Sequence, residues 1–298
     1  AAGSRITSPA AEESSHLFFG DAMPRFSGLL APHPPLAERI RRIDPNTNEI
    51  VTIVGQVDAP DMGAFSVAKL DNPTAMTWSD ALDSYLIAGG SSGRIFRVEL
   101  HARAVSVVAG EPGGYAFGTD PVASPRVRAS LAELLRGASG LARDARDDVV
   151  YIAERDAHAI VALHTTGDPE AWTLEAWSGT GTPGYLDGPR NSIQWSVPAG
   201  LAFDALRRIL YVADSANHVV RALWVDTSTT ASRTILGVAN NPGFFGGDGS
   251  AADTRLDNPT ALEVGSDGSL YISDTGNNRV LRLDADGLSV RTIIGDGS

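Results

Sequence analysis

One motif is written five times along this chain, and recurrence at such a spacing means one supersecondary unit used repeatedly. Its clearest copies are Leu270-Tyr-Ile-Ser-Asp274-Thr-Gly-Asn-Asn-Arg-Val280 and Leu210-Tyr-Val-Ala-Asp214-Ser-Ala-Asn-His-Val-Val220. Weaker copies occupy residues 85–95 and 150–160. The faintest, Leu17-Phe-Phe-Gly-Asp21, resumes at Arg39 after an insertion. Central anchors at Phe19, Ile87, Ile152, Val212 and Ile272 are separated by 68, 65, 60 and 60 residues. A repeat array supplies a surface, so a binding site lives in the departures between copies.

The last copy reads as four antiparallel strands. A strand opens at Pro259, a position where proline is tolerated. Asp267-Gly268 supplies a tight turn, and Leu270–Asp274 is apolar enough to be covered on both faces. Thr275-Gly-Asn-Asn278 turns into an alternating strand from Arg279 to Leu283. Asp286-Gly287 then leads into a fourth strand that Gly295 ends. The same terminal glycine recurs at Gly55, Gly110, Gly179 and Gly237. Helical solenoids need a 3.6 period, which is absent, whereas four-stranded units packed radially make a β-propeller. Small residues in each first strand (Thr74-Ala75, Ser139-Gly140, Ala199-Gly200, Thr260-Ala261) fit strands converging on an axis. Small residues also hold the third central position, at Gly20, Ala88, Ala153, Ala213 and Ser273, where a neighbouring sheet can press close.

Asn258-Pro-Thr-Ala261, the Leu270–Val280 motif and the loop Phe244-Phe-Gly-Gly-Asp-Gly249 together resemble the NHL repeat. The resemblance runs from about Leu17 to the end and is strongest in the last two units. It implies an all-β fold, a β-propeller of four-stranded antiparallel blades. Five units are recognisable, with approximate limits 1–55, 56–110, 111–179, 180–237 and 238–298, in a single domain spanning 1–298. NHL propellers usually have six blades, so five or six are expected here. The stretch 115–136, with a short helical run at 131–136, is too short for a blade of its own.

Composition narrows the chemistry. A net charge of -12, with carboxylates dispersed, opposes binding to phosphate backbones and so excludes nucleic acid as an expected partner. There is no cysteine, which removes thiol nucleophiles, thiolate metal sites and disulfides. Lys69 is the sole lysine, so Schiff-base chemistry has one candidate amine. No apolar run approaches the ~20 residues that span a bilayer, and no signal peptide is visible at the N-terminus. Lack of cysteine suits any compartment, with an extracellular or periplasmic setting as the expectation.

The turn after each central strand lies on one rim, presenting Asp21, Gly89, Glu154, Asp214 and Asp274 at equivalent places. These carboxylates form a candidate binding rim, and oxygen ligands of this kind hold Ca²⁺. Equally, each could accept hydrogen bonds from its own turn, as Asp commonly does. His158 and His218 share a slot in adjacent units, where the last unit has Asn278. Two imidazoles there suit a metal or an acid–base pair, or a loop position that accepts His in place of Asn. Gly89-Gly-Ser91-Ser-Gly93 and Gly179-Thr-Gly181-Thr-Pro-Gly184 spell a nucleophile elbow and a dinucleotide fingerprint, yet neither opens a helix as those motifs require. The long connections 110–139, 179–195 and 237–256 carry aromatics that either plug spaces between blades or serve function. The insertion at 22–38, with four prolines, breaks the motif most.

Two functional classes follow. The first is a non-catalytic propeller that binds a protein, peptide or glycan on one face or in the axial funnel, as the resemblance to interaction modules implies, with no cofactor required. The second is a metal-dependent hydrolase or lyase holding Ca²⁺ or Zn²⁺ in the central channel.

Overall fold

The computed structural model describes residues 17–21, 39–43, 50–54, 63–64, 70, 72–79, 82–89, 93–99, 101–110, 135–167, 172–226, 231–244 and 248–296. They fall into two compact units, residues 1–114 with 135–138, and 115–134 with 139–298. The architecture is all-β, a β-propeller built of antiparallel sheets, five of them among the described residues. No described helix is long and apolar enough to cross a membrane.

The first unit holds two sheets. In the first sheet β1 (Leu17–Asp21) pairs with β2 (Arg39–Ile43), which pairs with β3 (Ile50–Val54). Asp21 faces Arg39 across this ladder, so the two ends of the insertion close a hairpin, as the motif's resumption at Arg39 suggested. Three strands of this sheet are among the described residues; residues before Leu17 and the insertion 22–38 lie outside them. In the second sheet β4 (Gly63–Ala64) flanks the outer strand of the series β5 (Pro73–Ser79), β6 (Ser84–Gly89), β7 (Arg94–Glu99) and β8 (Ala104–Ala109). Ile40, Leu70, Met76, Trp78, Tyr85 and Phe96 form the core of this unit, with Trp78 and Tyr85 edge to face at 4.7 Å.

The second unit holds three sheets. The third runs β9 (Ala138–Asp144), β10 (Val149–Glu154), β11 (Ala159–His164), β12 (Thr173–Ser178). The fourth runs β13 (Pro198–Asp204), β14 (Ile209–Asp214), β15 (Val219–Trp224), β16 (Ser232–Gly237). The fifth is β18 (Pro259–Val264), β19 (Leu270–Asp274), β20 (Arg279–Leu283) and β21 (Ser289–Ile294), with β17 (Gly249–Ser250) added outside β21. The two-residue edge strands β4 and β17 extend the expected four, and each covers part of an outer edge that would otherwise expose unpaired backbone. The helical run expected at 131–136 lies largely outside the described residues.

The innermost strands of the second unit meet as small residues permit. A Cβ on Gly140 would strike the Ala199 carbonyl, and one on Gly200 would strike Thr260 and Ala261. A hydroxyl then ties inner strands of this unit together: Ser139 Oγ donates to the Pro198 carbonyl at 2.9 Å. At the equivalent place Ala199 has no hydroxyl, and Ser215, from the turn after β14, donates to Pro259 in its stead. The tie is kept although its donor has moved.

Candidate functional site

Each rim carboxylate of the fourth and fifth sheets serves its own turn. Asp214 is fully buried. Its Oδ1 accepts the Ser196 amide at 2.7 Å, and its Oδ2 accepts Asn217 Nδ2 at 2.8 Å and Arg221 Nη1 at 3.0 Å. Asp274 repeats the set with the Asp257 amide at 2.7 Å, Asn277 Nδ2 at 2.8 Å and Arg279 Nε at 2.8 Å. Asn217 and Asn277 donate onward to the carbonyls of Gly184 and Gly243, which fastens the preceding long loops to the rim. Burial outweighs these bonds for Asp214 and pushes its carboxyl up to about 6. Glu154, at the end of β10 opposite Ala159, is also fully buried. Asp21 ends β1 in the first unit.

His158 and His218 both sit in the left-handed backbone region, at φ 50° and 58°. Each Nδ1 accepts a backbone amide from the next loop, of Val197 and Asn258 respectively, both at 3.1 Å. Nδ1 of His158 therefore carries no proton, and burial holds that imidazole below its ordinary pKa, whereas Nδ1 of His218 also lies 3.2 Å from Asp257 Oδ1. No hydrogen bond or ion pair joins the two histidines among the described residues, nor is there any group of three or more metal-ligating side chains.

The long loops divide between plug and surface. Trp195 is fully buried, and Arg221 stacks on it at 4.3 Å while also holding Asp187. Asp187 in turn accepts the Thr234 amide at 3.1 Å, and Asp248 accepts the equivalent Thr292 amide at 2.9 Å. The Asp-Gly element of the loop thus caps the outer strand of its sheet. Phe244 covers Arg279 at 4.5 Å and remains half exposed, as does part of Tyr185 over Arg221.

One departure between copies produces a cavity. Between the third and fourth sheets the space is filled by Tyr151, Trp177 and Phe203, with ring centroids 4.7 and 5.9 Å from Tyr151. Trp177 is the extra residue of a bulge, because Ile160 pairs with Ser178 and Val161 with Ala176. In the fourth sheet Val220 pairs with Leu236 and Arg221 with Thr234, so the same bulge position holds Ile235. Phe203 faces Leu210 as Val264 faces Leu270, so Val264 stands where phenylalanine stood. Arg208, which stacks on Phe203 at 5.2 Å, corresponds to Gly268; both follow the same turn with positive φ. Three large fillers have become Ile235, Val264 and Gly268. The space between the fourth and fifth sheets is accordingly an open groove of about 480 Å³, floored by Tyr211, Ala222, Trp224 and Arg233 and walled by Leu283 and Leu288. None of this was foreseen from the motif, which ends before the bulge. Comparing Trp177 with Ile235 across copies was the available signal.

No protein-family model matches the chain. Its repeats are similar to those of NHL repeat-containing protein 2 from Bos taurus, at 34% identity over 102 residues, which is 34% of this chain and 14% of that protein. The chain spans 14% and 22% of the length of the first two curated relatives it matches. Its fold is shared with an auxiliary nutrient binding protein from Bacteroides ovatus, with a TM-score of 0.61, 11% identity, 98% of this chain and 56% of that one covered. It is shared also with a streptogramin B lyase, with a TM-score of 0.53, 13% identity, and coverage of 99% and 70%.

Proposed function

We propose that this chain is a non-catalytic, ligand-binding propeller and that it takes a small organic molecule in the groove between its fourth and fifth sheets. One observation carries the reading: the filler Trp177–Phe203–Arg208 of one intersheet space is replaced in the next by Ile235, Val264 and Gly268, leaving a volume in the usual range of ligand sites. The rim supports binding over catalysis in a different way. The carboxylates of Asp214 and Asp274 and the Nδ1 atoms of His158 and His218 are engaged with their own backbone and side chains, so these groups hold loops in place. Fold likeness to both a binding protein and a lyase does not separate the two classes, since one fold hosts many functions.

The test is a thermal-shift screen of the chain against monosaccharides, aromatic acids and amino acids. At least one class raises the melting temperature, and the paired substitution Ile235→Trp with Val264→Phe, which rebuilds the filler, abolishes that shift. A ligand whose shift survives the paired substitution overturns the reading, as does a screen with no response.

A further inference from the structure

The groove has one wall on the fourth sheet and one on the fifth, and the two walls are tied differently at their two ends. We infer that Arg207 is a strap across one end of the groove, and that the fifth-sheet turns it holds swing away to open the space. Its use to the protein rests on reading the groove as a ligand site, whereas the motion is measurable with no ligand present. Arg207 stands in the turn between β13 and β14. Its Nη1 donates to Asp204 of its own sheet at 2.7 Å and to the Gly268 carbonyl of the fifth at 3.2 Å. Nη2 donates to the Ala285 carbonyl at 3.4 Å. Gly268 and Ala285 lie in the β18–β19 and β20–β21 turns and both line the groove, so one guanidinium reaches from wall to wall. It lies close over a glycine for a steric reason, since a Cβ on Gly268 would stand 2.5 Å from Nη1. The far end is the pivot. There, just beyond β14, Ser215 donates to the Pro259 carbonyl and His218 Nδ1 accepts the Asn258 amide at 3.1 Å. Ala213, Val220, Leu236 and Leu256 pack in the core the two sheets share at this same end.

The junction of the third and fourth sheets shows what a permanent tie looks like. At the equivalent turns Arg208 of the fourth sheet pairs with Asp144 and Asp147 of the third, and Arg146 of the third pairs with Asp226 of the fourth at 3.0 Å. Asp144 and Arg208 are buried, and the space beside them is filled by Tyr151, Trp177 and Phe203. Bonds between charged partners are roughly twice as strong as neutral ones, and burial protects them from screening. Arg207 differs on each count. Its acceptors on the fifth sheet are neutral carbonyls at long range, its side chain is 40% exposed, and a cavity lies beside it in place of a filler. Hydrogen bonds with so little protection from water open at small cost. The ion pair with Asp204 keeps the guanidinium at the mouth while the two far bonds break, so the strap closes again. The weaker tie and the missing filler fall at the same junction.

Trp224 reports on the groove directly. It lines the space and is half-buried, whereas the other four tryptophans, Trp78, Trp172, Trp177 and Trp195, are buried. The experiment is acrylamide quenching of tryptophan fluorescence in the whole chain. Arg207→Ala raises the quenching constant about twofold, the gain in open population expected from losing exposed hydrogen bonds, and Trp224→Phe removes that gain. Arg207→Lys separates the strap from the local ion pair, because an ammonium can keep Asp204 but lacks the planar fork that reaches two carbonyls at once. It quenches like Arg207→Ala and melts like the parent. Arg146→Ala, at the other junction, leaves quenching unchanged. Quenching in Arg207→Ala equal to the parent's overturns the strap, and so does Arg207→Lys quenching like the parent. An equal rise in Arg146→Ala overturns it too, since that marks general loosening. No ligand enters this measurement, so a groove that binds nothing and a strap that does not open are separate failures.

Discussion

Arg221 bonds Asp214 at 3.0 Å with both side chains wholly shielded from water. The same guanidinium also reaches Asp187 at 2.8 Å and the carbonyls of Leu186 and Gln194, and it lies on the Trp195 ring. One side chain therefore joins a rim turn, a long connecting loop and the loop's buried aromatic. A buried ion pair is costly to form, because both charges leave water. Removing one partner is costlier, since it strands the other. Arg221→Ala strands Asp214 and also frees the loop around Asp187. It should cost about 3–5 kcal/mol, read as a drop in the urea midpoint with unchanged slope. A loss below ~1 kcal/mol would show that water enters the site and the burial seen here is not maintained.

Asp214 should leave a signature in the pH dependence of stability. Its folded carboxyl titrates at about 6, above the ordinary 3.8, chiefly because burial penalises the charge. Between those two values the folded state binds more protons than the unfolded one. The contribution of this group is therefore fully favourable below about 3.8 and is lost as pH rises through about 6. Aspartates held by donors have the opposite sign. Asp187, whose carboxyl is lowered against burial by Ser232 and Arg221, loses its contribution as pH falls below the usual carboxylate range. The comparison that isolates Asp214 is parent against D214N between pH 7 and 5. The parent gains relative to the variant as pH falls. Parallel curves would show that Asp214 keeps an ordinary pKa.

The sequence made the hub legible because sterics there leave no choice: Gly140 and Gly200 face a neighbouring backbone, and no larger side chain can replace them. The turns were legible for a similar reason, since Asp214–Asn217 and Asp274–Asn277 are bonds between residues three apart. Longer relations were not. Arg279 faces Asp274 directly across its ladder, whereas Arg221 comes from two residues further along β15, so the shared function does not appear as a shared column. The groove was hidden for the same reason. Trp177 and Ile235 each stand two residues before the terminal glycine of their unit, but that both point into an intersheet space follows only from the bulge, which the motif does not mark. The edge strands β4 and β17 are two residues long, too short for any alternation to announce them.

Val197 is the residue most at odds with its backbone. It adopts φ 56°, in a region costing roughly 1–2 kcal/mol for residues with a Cβ and unusual for a β-branched one. The matching residues ahead of Pro73 and Pro259 are Asn72 and Asn258, at φ 49° and 47°, and asparagine tolerates this conformation. Val197 is kept there by its amide, which donates to His158 Nδ1 at 3.1 Å. V197N should therefore raise stability by about 1 kcal/mol, an increase of several degrees at most in melting temperature. The acceptor matters as much as the strain. Burial holds the His158 imidazole below its usual pKa, so the ring's contribution is present above 6.5 and is lost as pH falls through the lower folded value. His158→Ala removes the acceptor at every pH and flattens that part of the profile. V197N keeps the backbone amide that donates to His158 and changes only the strain which that bond holds, so a double-mutant cycle with His158→Ala reads the coupling of bond and strain. Strict additivity of V197N and His158→Ala would show that the imidazole does not hold the strained turn.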